Sequence, residues 1–102
     1  DWSVLTREKL AVMYASLVSQ CAGRMEESGD HTGAMGLYER ALQQENLVEP
    51  FYRGLMRCHL ARGEIAEALR TYRRCRELLS IVLGSKPAAE TEALRQQIDA
   101  LQ

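Results

Sequence analysis

Apolar residues recur every three or four positions along most of the chain, the spacing of one face of an α-helix. A first helix is predicted over about residues 3–28, with Leu10, Tyr14, Leu17, Cys21 and Met25 as its inward stripe and Arg7 and Lys9 outside it. A second, over about residues 30–44, carries Ala34, Leu37, Tyr38, Ala41 and Leu42. After a connector, Pro50 suits the first helical position, where a missing N–H leaves nothing unpaired. The third helix runs from there to about residue 62, with Phe51, Tyr52, Leu55, Met56, His59 and Leu60 inward. A fourth is predicted over residues 64–83, with Ile65, Ala68, Leu69, Tyr72, Cys75, Leu79 and Val82 inward. Gly84 ends it, and Pro87 opens a fifth helix carrying Leu94, Ile98 and Leu101. Stretches rich in Val, Ile and Thr, which favour strands, are absent.

Two glycines punctuate the pattern. Gly29 and Gly63 each follow one apolar stripe and precede the next, where a left-handed helix stop needs a residue without a β-carbon. Each is followed by an acidic residue, Asp30 or Glu64, which suits the positive N-terminal end of a helix. Gly29, Ala34 and Tyr38 recur as Gly63, Ala68 and Tyr72, always at an offset of 34 residues. That period, with helix–turn–helix content, is the tetratricopeptide signature. Small residues let the two helices of a hairpin approach, and tyrosines fill the space between hairpins. The fold expected is all-α: about five helices in stacked TPR-like hairpins, forming a right-handed superhelical array. One domain spans residues 1–102, with repeat 1 over about 15–48, repeat 2 over about 49–82 and a capping helix over about 87–101.

Composition narrows the class. With 102 residues, 46% of them hydrophobic, the chain can bury one modest core without metal or disulfide help. Three widely spaced cysteines, an odd number, read as free thiols in a reducing compartment, so a cytoplasmic location is expected. No signal peptide and no apolar run near membrane-spanning length are visible. Because the chain begins at Asp1 and not at Met, it is expected to be a fragment of a longer protein. A net charge of −1 speaks against polyanion binding by the domain as a whole, but the charge is uneven. Residues 1–50 carry −4, residues 51–76 carry +5 and residues 77–102 carry −2.

The central basic stretch supplies the candidate partner-binding residues. Arg70, Arg73 and Arg74 share a face of the fourth helix, with Arg76 turned elsewhere; they are a patch for an acidic partner or phosphate, or a solvated face paired with Glu67 and Glu77. Arg53 and Arg57, four residues apart on the third helix, either line a groove for an acidic peptide or cover apolar neighbours with their stems. Trp2 either meets a preceding domain or packs on the third or fourth helix. Cys58-His59 lacks the ligand spacing of a zinc site and the further groups a nucleophile needs, so it reads as packing. The four methionines follow no single face and read as core filling. No catalytic, cofactor-binding or metal residues are assigned, and no cofactor is expected.

The residues also resemble a known family. Leu55-Met56-Arg57, Gly63, the run Ala68 to Arg74, Leu79, Leu83-Gly84, Pro87, Thr91 and Leu94 resemble the bacterial transcriptional activator domain, as do Trp2, Arg7, Leu10, Tyr14 and Leu17 of its long first helix. Nearly the whole chain is covered, and the Leu83-Gly84 to Pro87 turn is the most specific part. Two loops depart from the usual pattern: Ser85-Lys86 after the glycine, and the longer connector from Glu45 to Pro50.

The resemblance implies a TPR-like regulatory domain that follows a winged-helix DNA-binding domain, as in Streptomyces antibiotic regulatory protein-type regulators. Its expected partners are proteins: its own N-terminal DNA-binding domain, a second copy of itself as a homodimer, or the transcription machinery. DNA is reached only through the rest of the parent protein, and no membrane is involved. The alternative is a free-standing TPR adaptor binding an acidic peptide or protein segment. Adaptors that hold a terminal carboxylate use groove asparagine and lysine, and here Asn46 is the only asparagine and lies in a connector. An enzyme has no candidate residues behind it.

Overall fold

The computed structural model describes residues 1–102. Five α-helices, α1 (Trp2–Glu27), α2 (His31–Gln44), α3 (Glu49–Ala61), α4 (Ile65–Leu78) and α5 (Ala89–Ala100), and one π-helical turn, Leu79–Leu83, make up the fold; there is no strand. Short connections return α2, α3 and α4 each against the helix before it, the arrangement of helical hairpins. The last helix, α5, packs on α3 and α4. The array is all-helical and TPR-like.

Both glycine turns close in the same way. Gly29 and Gly63 take φ of 87° and 74°. The N–H of Asp30 then donates to the Met25 carbonyl, and that of Glu64 to the His59 carbonyl, each at 2.8 Å. A left-handed residue followed by such a long-reach bond satisfies the last carbonyls of a helix. The helix starts that follow are different. Asp30 accepts the Gly33 N–H at 2.9 Å, as an N-cap should. Glu64 makes no cap bond, and its carboxylate turns back to His59 and Arg62.

Ala34 and Ala68 are fully buried, and Tyr38 and Tyr72 nearly so. A larger core cluster, including Val18, Ala22, Tyr38, Phe51, Leu55 and Cys75, ties α1 to α4 together. A smaller one, Met56, Ala68, Tyr72, Leu94 and Ile98, fixes α5. The N-terminal end of α5 is held by another helix. The Ala88 N–H (2.7 Å) and the Thr91 hydroxyl both donate to the carboxylate of Glu49, at the start of α3.

Several sequence expectations need correction. On α1 the inward residues are Val18 and Ala22, with Ala15 and Met25 half-buried, while Leu10, Tyr14, Leu17 and Cys21 are exposed. Both stripes have helical spacing and differ by one residue, about 100° of rotation. The smaller set lies inward because it admits α2 and α3 more closely. The fourth α-helix stops at Leu78, and the chain continues as the π turn. A period of 3.6 does not carry across a π turn, so Leu79 is buried while Val82 is exposed. The α5 helix starts at Ala89, two residues after Pro87, and Leu101 is exposed. His59 is half-buried and hydrogen-bonded to Glu64 (2.9 Å) at the turn, not packed in the core.

Candidate functional site

Two of the three thiols are shut away from solvent, and Cys21 is exposed on α1. Cys58 and Cys75 are fully buried, and burial pushes them up to about 11 and about 12. Neither forms the thiolate a nucleophile or metal ligand requires near neutral pH. The ring of His59 is engaged by Glu64 and not by Cys58. No group of three or more His, Cys, Asp and Glu side chains is arranged to hold a metal ion. No helix is long and apolar enough to cross a membrane.

The candidate arginines go to different places. Arg57 is exposed but paired within the molecule: its Nε and Nη2 donate to the two carboxylate oxygens of Glu26, at 2.9 and 3.1 Å. The Tyr38 hydroxyl donates to the same carboxylate at 2.6 Å, so one cluster ties α1, α2 and α3. Burial works to raise the Glu26 carboxyl, but the hydrogen bonds from Arg57 and Tyr38 and the Arg57 charge outweigh it and hold the group below the usual carboxylate range. The Tyr38 phenol is pushed above its ordinary value by burial and by the Glu26 carboxylate.

Arg53 is also occupied, donating to the Thr91 hydroxyl at 3.1 Å and lying 3.6 Å from the Glu49 carboxylate. On α4, Arg70 pairs with Glu67 one turn back. Arg74 reaches Glu39 of α2 at 3.0 Å, with its guanidinium 5.4 Å from the Tyr52 ring centroid. Arg73 forms no ion pair. The structure therefore does not gather the five arginines into one surface. Arg53 and Arg57 serve the helix packing, and Arg70, Arg73 and Arg74 lie along α4.

Most of the exposed large apolar side chains are on α1. Trp2 is 80% exposed, and Leu5, Leu10, Val12, Met13 and Leu17 are each more than half exposed. Buried residues of α1 begin only at Val18. A helix of 26 residues is roughly 39 Å long, so much of its length lies outside the core. Scattered apolar residues are ordinary at a surface; on α1 they are concentrated along one helix.

A family model described as the bacterial transcriptional activator domain matches residues 1–99. The chain belongs to that family. Nothing among curated proteins or solved structures matches it. The exposed α1 surface is therefore a feature of a transcriptional activator domain, within a matched region that extends from the first residue of the chain through nearly all of α5.

Sequence reasoning missed part of this activator domain's surface. Leu5 and Val12 fall on neither stripe of α1, and that surplus of apolar residues was the available signal. Arg76, expected to point away from the Arg70, Arg73 and Arg74 face, lines one hollow with Arg73 beside Lys86. Lys86 carries no periodic signal because it lies in a loop.

Proposed function

We propose that this domain is a regulatory docking module of a bacterial transcription activator, and that the exposed N-terminal part of α1 docks on the DNA-binding domain of the same regulator. The observation that supports it is the apolar belt of Trp2, Leu5, Leu10, Val12, Met13 and Leu17, which nothing in the chain covers. Burying such side chains contributes on the order of 1.5–3 kcal/mol each when fully covered. The rest of the chain supplies the base, with α1 tied to α3 by the Glu26–Arg57 pair. On this reading residues 15–48 and 49–82 are the two repeats, 87–101 is the cap, the protein is cytoplasmic, and the domain performs no catalysis.

A photo-crosslinking residue at Leu10 of the intact regulator tests the assignment. It is expected to trap the DNA-binding domain. The double substitution Leu10→Ser, Leu17→Ser is expected to abolish activation while leaving the melting temperature of the isolated domain unchanged, since exposed positions typically contribute within about 0.5 kcal/mol. A crosslink only to RNA polymerase or to a second copy would replace the DNA-binding domain by that partner. No crosslink to any of the three would end the docking assignment. The alternative, a free-standing adaptor holding an acidic peptide on Arg53 and Arg57, has less support, because both guanidiniums already have partners.

A further inference from the structure

Two hollows lie side by side on the outer face of α4. One, about 830 Å³, is bounded by α4, the π turn, the loop after it and α5, with Arg73, Arg76, Ser80 and Lys86 on its walls. The other, about 580 Å³, lies toward the α2–α3 connector and is lined by Asn46, Tyr52, Arg70 and Arg74. They share Arg73, Glu77 and Ile81, spaced four apart in one row along the helix, so the two hollows flank that row as a shallow open groove.

Its charges are not balanced internally. Arg73, Arg76 and Lys86 form no ion pair. Arg76 is held by stacking, its guanidinium 5.6 Å from the Tyr72 ring centroid. Of the two carboxylates in the larger hollow, Glu92 already accepts the Tyr72 hydroxyl at 2.6 Å, which leaves Glu77 at the junction. The groove also offers apolar surface, from exposed Ile81, half-buried Leu78 and half-buried Pro87.

We propose that this groove binds an extended acidic segment of a partner protein, with aliphatic side chains between its carboxylates. Carboxylates meet Arg73, Arg76 and Lys86 by charge-assisted hydrogen bonds. An aliphatic side chain rests on Ile81. The rise from Arg70 to Ile81 is roughly 16 Å, which an extended peptide covers in about five residues. Duplex DNA is the poorer fit: it brings a phosphate charge about every 1.7 Å of its axis, and Glu77 stands in the middle of the groove. The apolar floor gives a phosphate backbone nothing. This surface is separate from α1 and does not depend on what α1 docks.

The test is a titration of the 102-residue chain with fluorescein-labelled peptides of about ten residues, long enough to span both hollows. One alternates Glu or Asp with Leu or Ile, one replaces the aliphatics by Gly, and a random duplex DNA serves as the third probe. Saturable binding is expected for the first peptide, weaker binding for the second and weakest for DNA. Arg73→Glu with Arg76→Glu is expected to reduce affinity for the first peptide roughly tenfold or more. Lys86→Glu, on an exposed loop, weakens it without touching any helix and so stands in if the double variant melts early. Ile81→Ser is expected to affect the aliphatic peptide alone. Absence of saturation, indifference to Lys86→Glu, or DNA binding as tight as the peptide's would each overturn the proposal. The Leu10→Ser, Leu17→Ser variant should leave this titration unchanged, so failure of α1 docking and failure of the groove are read separately.

Discussion

Gly54 stands where no side chain fits. A β-carbon there would overlap the aromatic ring of Tyr38, whose hydroxyl is held by Glu26 and whose ring lies 6.2 Å, centroid to centroid, from that of Phe51. Alanine favours a helix over glycine by about 1 kcal/mol, yet overpacking a filled core costs about 1–3 kcal/mol. Gly54→Ala is therefore expected to lower the melting temperature, and a thermal melt decides between the two effects. Glu26 gives the pH counterpart. Its carboxyl lies below its ordinary value in the folded chain, so its contribution is present above the unfolded carboxylate range and is lost as pH falls through the depressed folded value. Urea melts from neutral pH down through that range should show stability falling, and Glu26→Gln should flatten the fall. The repeat motif was legible in Gly29, Ala34 and Tyr38 and their counterparts because these residues act through size and backbone freedom. The Glu26–Arg57 pair was not, since 31 residues separate its members and only the packing of α1 on α3 brings them together.

Among the elements, α5 depends on a residue far from it in sequence. Glu49 accepts from Ala88 and Thr91, satisfying an end of α5 where no side chain of its own caps it. Glu49→Ala leaves the Thr91 hydroxyl, which is fully buried, with only Arg53 beside it. Losing a buried hydrogen-bond partner costs on the order of 1–3 kcal/mol. Hydrogen exchange is expected to show amides of Leu94 and Ile98 losing protection while those of α2 keep theirs; equal loss in both would mean that the molecule opens only as a whole. The number and approximate bounds of the helices were readable from spacing, glycine stops and prolines. Which stripe of α1 faces inward was not, because Ala15, Val18, Ala22 and Met25 repeat as regularly as Tyr14, Leu17 and Cys21 do. Spacing identifies a helix, and only its neighbours select the face.

At the scale of the whole molecule, the extents of 48 × 33 × 20 Å reflect an elongated body. The surfaces proposed for binding are only partly visible in the sequence. The basic stretch of residues 51–76 is plain, but which arginines are paired off cannot be read from it, and helical spacing points Leu10 and Leu17 of the α1 belt inward although both are exposed. The position of α1 has a mechanical consequence. It is gripped along its C-terminal part and free along much of the remainder, so it works as a cantilever. On the proposed docking, a partner holding the Trp2 end would pull on a long arm, with the torque arriving where Glu26 clasps Arg57 and Tyr38. If the proposed docking on α1 holds, a small swing of the partner would bear on the contact between α1 and α3.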